Sequence, residues 1–94
     1  MNLQKLQKEV DELIKKMGGY WTPSQMLAAL VEEVGELADI ILSFEGVKGE
    51  KDPLRLKEEL GDVLFALICI ANYFGIDMED ALRDTIRKYS TRDL

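Results

Sequence analysis

Histidine is absent from this 94-residue chain, and cysteine occurs once, at Cys69. No intrachain disulfide can form, and the usual His/Cys zinc sites are excluded within one chain. A ferritin-like di-iron bundle would need a Glu-x-x-His element, which is missing too. Cys69 lies in an apolar run and reads as a buried, reduced thiol of a cytoplasmic protein. The longest apolar run, Val63 to Ala71, is too short to span a bilayer. The opening Met1-Asn2-Leu3-Gln4-Lys5 leads into an amphipathic charged stretch rather than a signal peptide. Positive charge is scarce: the net charge is −6 and no broad basic patch occurs, which argues against a general nucleic-acid binder. Alternating apolar residues are missing as well, so strands are not expected. What remains is 47% hydrophobic, too much for a disordered chain, and of a length that fits one domain over residues 1–94.

Helical periodicity divides the chain into four segments. Leu3, Leu6, Val10, Leu13, Ile14 and Met17 share a face, predicting a first helix from about Asn2 to Met17 that stops at Gly18-Gly19. Thr22-Pro23-Ser24-Gln25 combines a cap, a first-turn proline and a capping-box glutamine, opening a second helix that runs to about Phe44. A polar, glycine-containing loop follows. Asp52-Pro53 repeats the device and starts a third helix ending near Gly75. Asp77 can cap a fourth, from about Met78 to Tyr89. The expected fold is an all-α four-helix bundle, with the second and third helices paired as a hairpin.

That hairpin carries two copies of nearly the same acidic hexapeptide. Glu32-Glu33-Val34-Gly35-Glu36-Leu37 and Glu58-Glu59-Leu60-Gly61-Asp62-Val63 lie 26 positions apart. Residues three apart share a helix face, so Glu33 pairs with Glu36 and Glu59 with Asp62. Acidic runs usually mark a solvated face, but the phase here differs. Glu33 interrupts an apolar stripe of Met26, Leu30, Leu37, Ile40 and Phe44, and Glu59 interrupts one of Leu56, Val63, Leu67, Ile70 and Phe74. The carboxylates therefore point into or beside the seam between the helices.

Unpaired buried carboxylates each cost several kcal/mol, and Lys57 alone cannot balance four acids. A cation filling the cluster resolves the conflict. Oxygen-only ligands select a hard ion such as Mg²⁺, Mn²⁺ or Ca²⁺, and no EF-hand pattern is present. Asp62 adjoins the all-apolar run, which predicts a third helix covered on all sides. Gly35 and Gly61 occupy equivalent helical positions, where each costs roughly 1 kcal/mol relative to alanine, and predict close approach of the two acidic segments.

Glu32-Glu33-x-x-Glu36, a gap of 22 residues, then Glu59-x-x-Asp62 resembles the signature of the MazG-like all-α nucleoside triphosphate pyrophosphohydrolases, over roughly Trp21 to Tyr89. The resemblance is to the short single-domain members. It implies cleavage of a (d)NTP between the α- and β-phosphates, giving a monophosphate and pyrophosphate, with a role in nucleotide-pool housekeeping. Glu33, Glu36, Glu59 and Asp62 would then be ligands of Mg²⁺ (or Mn²⁺), and Glu32 a supporting residue that orients or deprotonates the attacking water. Phosphoribosyl-ATP is the nearest rival substrate within that chemistry. The resemblance also implies a homodimer or a dimer of dimers, with sites built from more than one chain.

Cationic partners for the outer phosphates are expected among Arg83, Arg87, Lys88 and Arg92, with the loop residues Lys48 and Lys51 next. Lys88-Tyr89 with Arg92 is similar to a Lys-aromatic pair of the family, whose preceding asparagine is absent. Positive charge at a helix C-terminus explains the same cluster without any ligand. Tyr20-Trp21 supply aromatic surface either for stacking on a base or for the core. A non-enzymatic metal-binding oligomerisation module is the competing class. It sits poorly with the full set of five motif acids.

Overall fold

The computed structural model describes residues 2–47 and 49–92, and among these there are four helices and no strand. They are α1 (Leu3–Lys16), α2 (Pro23–Phe44), α3 (Pro53–Tyr73) and α4 (Met78–Arg92). Each start is fixed by a side-chain cap that takes up otherwise unpaired backbone N–H groups. Asn2 accepts from the Lys5 N–H at 2.8 Å, and Asp52 accepts from Leu54 and Arg55. Thr22 and Gln25 form the reciprocal capping box. Asp77 accepts from Glu79 and Asp80. α3 stops two residues before Gly75, whose φ of +69° forms the turn itself. α4 runs three residues beyond the expected Tyr89.

α2 and α3 pair as the expected hairpin, α1 crosses α3, and α4 packs on α1. α3 is thus covered from two directions and α2 mainly from one. The arrangement is open. The Cα radius of gyration is 15.6 Å, against about 12 Å for a compact chain of this length. The accessible surface is 7128 Å², against about 5,500 Å² for a compact 10.7-kDa monomer. Only Met26, Ile40, Ile68, Cys69 and Ala71 are buried apolar side chains among the described residues. Among them, too, no single helix is long and apolar enough to cross a membrane.

Two sequence expectations are corrected. The apolar run of α3 is not covered all round, because Leu64 and Leu67 are exposed on one uncovered side and Phe65 on a different face of the helix. Nor do Gly35 and Gly61 serve close packing within the chain, since a Cβ at either would meet no atom within 4 Å. The uncovered side has a consistent pattern. Leu27, Val31, Val34 and Ile41 on α2 and Leu60, Leu64 and Leu67 on α3 are all exposed. In an antiparallel pair their helical phases place them on one face of the hairpin, away from Glu36 and Asp62.

Candidate metal centre

Glu33, Glu59 and Asp62 each offer a carboxylate oxygen within 4.8 Å of the others. The hairpin creates this trio: Glu33 enters from α2, and Glu59 and Asp62 enter from consecutive turns of α3. Glu59 is the buried member, 6% exposed, and its Oε2 has no hydrogen-bond partner. Asp62, expected at the dry edge, is exposed, while Glu33 is half-buried. Glu36 stands outside the trio, but its carboxyl lies beside Glu59. Glu32 is exposed and contributes charge against Glu33.

The electrostatics follow from burial without counter-charge. Burial pushes the Glu59 carboxyl up to about 7, aided by the adjacent Glu36 carboxyl and by the charges of Glu33, Glu36 and Asp62. Burial also raises Glu33, with the charges of Glu36 and Asp62 acting in the same direction. The ion pairs seen among the described residues, Lys15–Asp11, Arg83–Glu79 and Arg87–Asp84, all lie outside the cluster. An orphaned carboxylate oxygen facing other carboxylates suits a cation better than it suits water. The oxygen-only donor set fits a hard divalent ion.

Next to the trio opens a half-enclosed apolar pocket of about 300 Å³ that reaches Glu33 and Asp62. Its lining combines Ile14 and Met17 from the end of α1 with Met26 of α2 and Cys69 of α3. The sequence pattern did not anticipate this pocket, because its walls come from three separate helices. The two neighbouring aromatics divide. Tyr20 is held in place, donating to Asp11 at 2.6 Å and meeting the Tyr73 ring edge-on. Trp21 lines the pocket and is 63% exposed.

The basic cluster is not brought to the acids within one chain. Arg87 pairs with Asp84, Lys88 and Arg92 both lie against the Tyr89 ring, and none of the three lines the pocket. Arg83 pairs with Glu79. Lys48 lies outside the described residues.

Comparison with known proteins agrees with this geometry. The MazG nucleotide pyrophosphohydrolase domain matches residues 21–94. An uncharacterised Bacillus subtilis protein, YpjD, is 41% identical over 95 residues, covering 97% of this chain and 86% of that protein. The Thermotoga maritima nucleoside triphosphate pyrophosphohydrolase/pyrophosphatase MazG is 31% identical over 90% of this chain, which spans only 30% of its length. Among solved structures, the Bacillus-conserved MazG protein, a nucleotide pyrophosphohydrolase, superposes with a TM-score of 0.86 at 41% identity, covering 98% of this chain and 93% of that one. With its two acidic motifs joined in one hairpin, the chain belongs to the MazG nucleotide pyrophosphohydrolase domain family, a family of hydrolases.

Proposed function

We propose that the 94-residue chain acts as one domain that hydrolyses nucleoside triphosphates to monophosphate and pyrophosphate, with Mg²⁺ as the ion and Mn²⁺ as a substitute. The observation that carries this reading is the orphaned Glu59 oxygen beside Glu33 and Asp62 in a chain of this family. Glu33, Glu59 and Asp62 would hold the ion, with Glu36 completing the set. When bound, a divalent ion neutralises phosphate charge and acidifies coordinated water. Water attacks the α-phosphorus, the α–β bridging bond breaks, and pyrophosphate leaves with the electron pair. Glu32, exposed next to the cluster, would orient that water or take its proton. Trp21 offers its ring to the base at the pocket beside the acids.

Arg87, Lys88 and Arg92 are the candidates for the outer phosphates. Because they do not line the pocket in one chain, they would act from a second copy. The surplus accessible surface of about 1,600 Å² supports such assembly, since interfaces of that order are typical of stable complexes. The exposed apolar face of the α2/α3 hairpin is the surface on which a homodimer, or a dimer of dimers, would form. A buried free thiol suits the cytoplasm, and nucleotide-pool housekeeping is the role that fits.

The test is Mg²⁺-dependent turnover of a panel of NTPs, dNTPs and phosphoribosyl-ATP, with pyrophosphate and orthophosphate detected separately. Pyrophosphate release that disappears in Glu36→Gln supports the reading. Mg²⁺ binding without turnover of any panel member would favour a metal-binding module instead.

A further inference from the structure

We infer that Gln7 is a positioning residue: its buried amide bolts α1 across the α3–α4 corner and so sets the wall of the apolar pocket beside the acidic trio.

Gln7 occupies an apolar place in α1, in line with Leu3, Val10 and Ile14, yet it is only 6% exposed. A buried amide is tolerated when its donors and acceptor are all engaged. That condition is met here. Nε2 donates to Asn72 Oδ1 and to the Ile76 carbonyl, each at 3.0 Å, and Oε1 accepts from the Met78 N–H at 2.7 Å. Asn72 returns a bond from Nδ2 to the Gln7 carbonyl at 2.9 Å. One side chain thus joins α1, the end of α3 and the first residue of α4.

Besides this hub, α1 is tied by an exposed Gln4–Asp77 hydrogen bond at its start and by Tyr20, which donates to Asp11 and meets Tyr73 of α3. Leu6, Leu13 and Met17 are exposed, so its apolar contact with the rest of the chain is thin. The link to α2 passes through Gly18 and Gly19, both at φ above +100°, whose N–H groups donate to the Lys15 and Ile14 carbonyls and close the helix without touching α3. Hydrogen bonds of defined length and angle specify orientation where sparse apolar contact would allow sliding. Two turns beyond Gln7 lie Ile14 and then Met17, which line the same pocket as Met26 and Cys69. A tilt of α1 about the hub changes the width of that opening and leaves the acids on α2 and α3 in place.

The chain supplies its own reporter. Cys69 is its single thiol, lies buried, and lines the pocket together with Ile14 and Met17. In the full-length protein, Gln7→Met keeps the side chain's shape and removes all three bonds. Gln7→Glu keeps an acceptor for Met78 and removes both donors. Asp52→Ala, which removes the α3 cap away from the pocket, controls for general loss of stability.

The expected result is that Gln7→Met speeds native-state labelling of Cys69 by a disulfide reagent by about tenfold, through local opening at unchanged helicity. The KM for ATP rises severalfold while kcat changes much less, Gln7→Glu is intermediate, and Asp52→Ala moves neither. If Gln7→Met fails to fold, Gln7→Glu is read in the same way. The inference is overturned if both Gln7 variants lose stability while Cys69 labelling and KM stay with the Asp52→Ala control. The KM readout rests on the proposed function and the labelling does not. A wild type that turns over no nucleotide would therefore defeat that function, while Cys69 still decides the role of Gln7.

Discussion

The two acidic hexapeptides are nearly the same string, yet the second glutamate of each meets different surroundings. Glu59 is buried with an unpartnered oxygen and a carboxyl pushed up to about 7, whereas Glu33 is half-buried, its carboxyl also pushed upward by burial. The difference comes from neighbours rather than from the motif. α3 is packed on one side by α2 and on another by α1, while the main packing of α2 is against α3. Equivalent local sequences can thus supply unequal ligands. The drier one carries the larger electrostatic penalty and has the most to gain from a cation.

The largest expected effect comes from breaking the drier copy. Glu59→Gln or Asp62→Asn should lower metal-dependent turnover by about a hundredfold or more, judged by pyrophosphate release. Without metal the same variants should melt at the wild-type temperature or higher, since repulsion is relieved. A sharp fall in metal-free melting temperature would instead mark these acids as structural.

A second test asks whether assembly evens out the two copies. Leu64→Lys on the open face of the hairpin should shift the protein towards monomer, as read by size exclusion with light scattering. An unchanged mass would move the interface elsewhere on the chain.

The titration of Glu59 gives a smaller, pH-dependent signature. Its folded-state value lies above the ordinary carboxylate value of 4.5. Its contribution to stability is therefore fully present below about 4.5 and is lost as pH rises through about 7, because the unfolded carboxyl ionises freely and the folded one resists. In EDTA the melting temperature should fall over that window and flatten above it. Divalent-ion binding must displace the proton, so the rise in melting temperature on adding Mg²⁺ should be greater at pH 8 than at pH 5.5.

The smallest effects belong to the two glycines, and they sharpen the comparison. Gly35→Ala and Gly61→Ala enter open space within one chain and should each stabilise their helix by about 1 kcal/mol. A lower melting temperature for either variant would place a partner helix against that glycine alone.

Much of the site was legible in the sequence because its logic is one of phase. Glu33 and Glu59 stand where a helical stripe calls for apolar side chains, so their approach to the seam follows from a period of 3.6 residues. Three features were not legible. Asp62 was expected beside the driest segment and is exposed, because it lies at the open pocket on the other face of α3 from Leu60, Leu64 and Leu67. The pocket draws its walls from three helices. The place of Gln7 in an apolar row was a visible signal, but its meaning depended on Asn72, 65 positions away.

By itself the sequence determined the four helices and the pairing of acids on their faces. Caps such as Thr22–Gln25 and Asp52 act within a few residues, and the helical repeat orders side chains over a few turns. Only the tertiary structure decided which carboxylate is dry, which aromatic is left free and which amide holds α1. Burial depends on how many sides of a helix are covered, and the covering elements here lie tens of residues away.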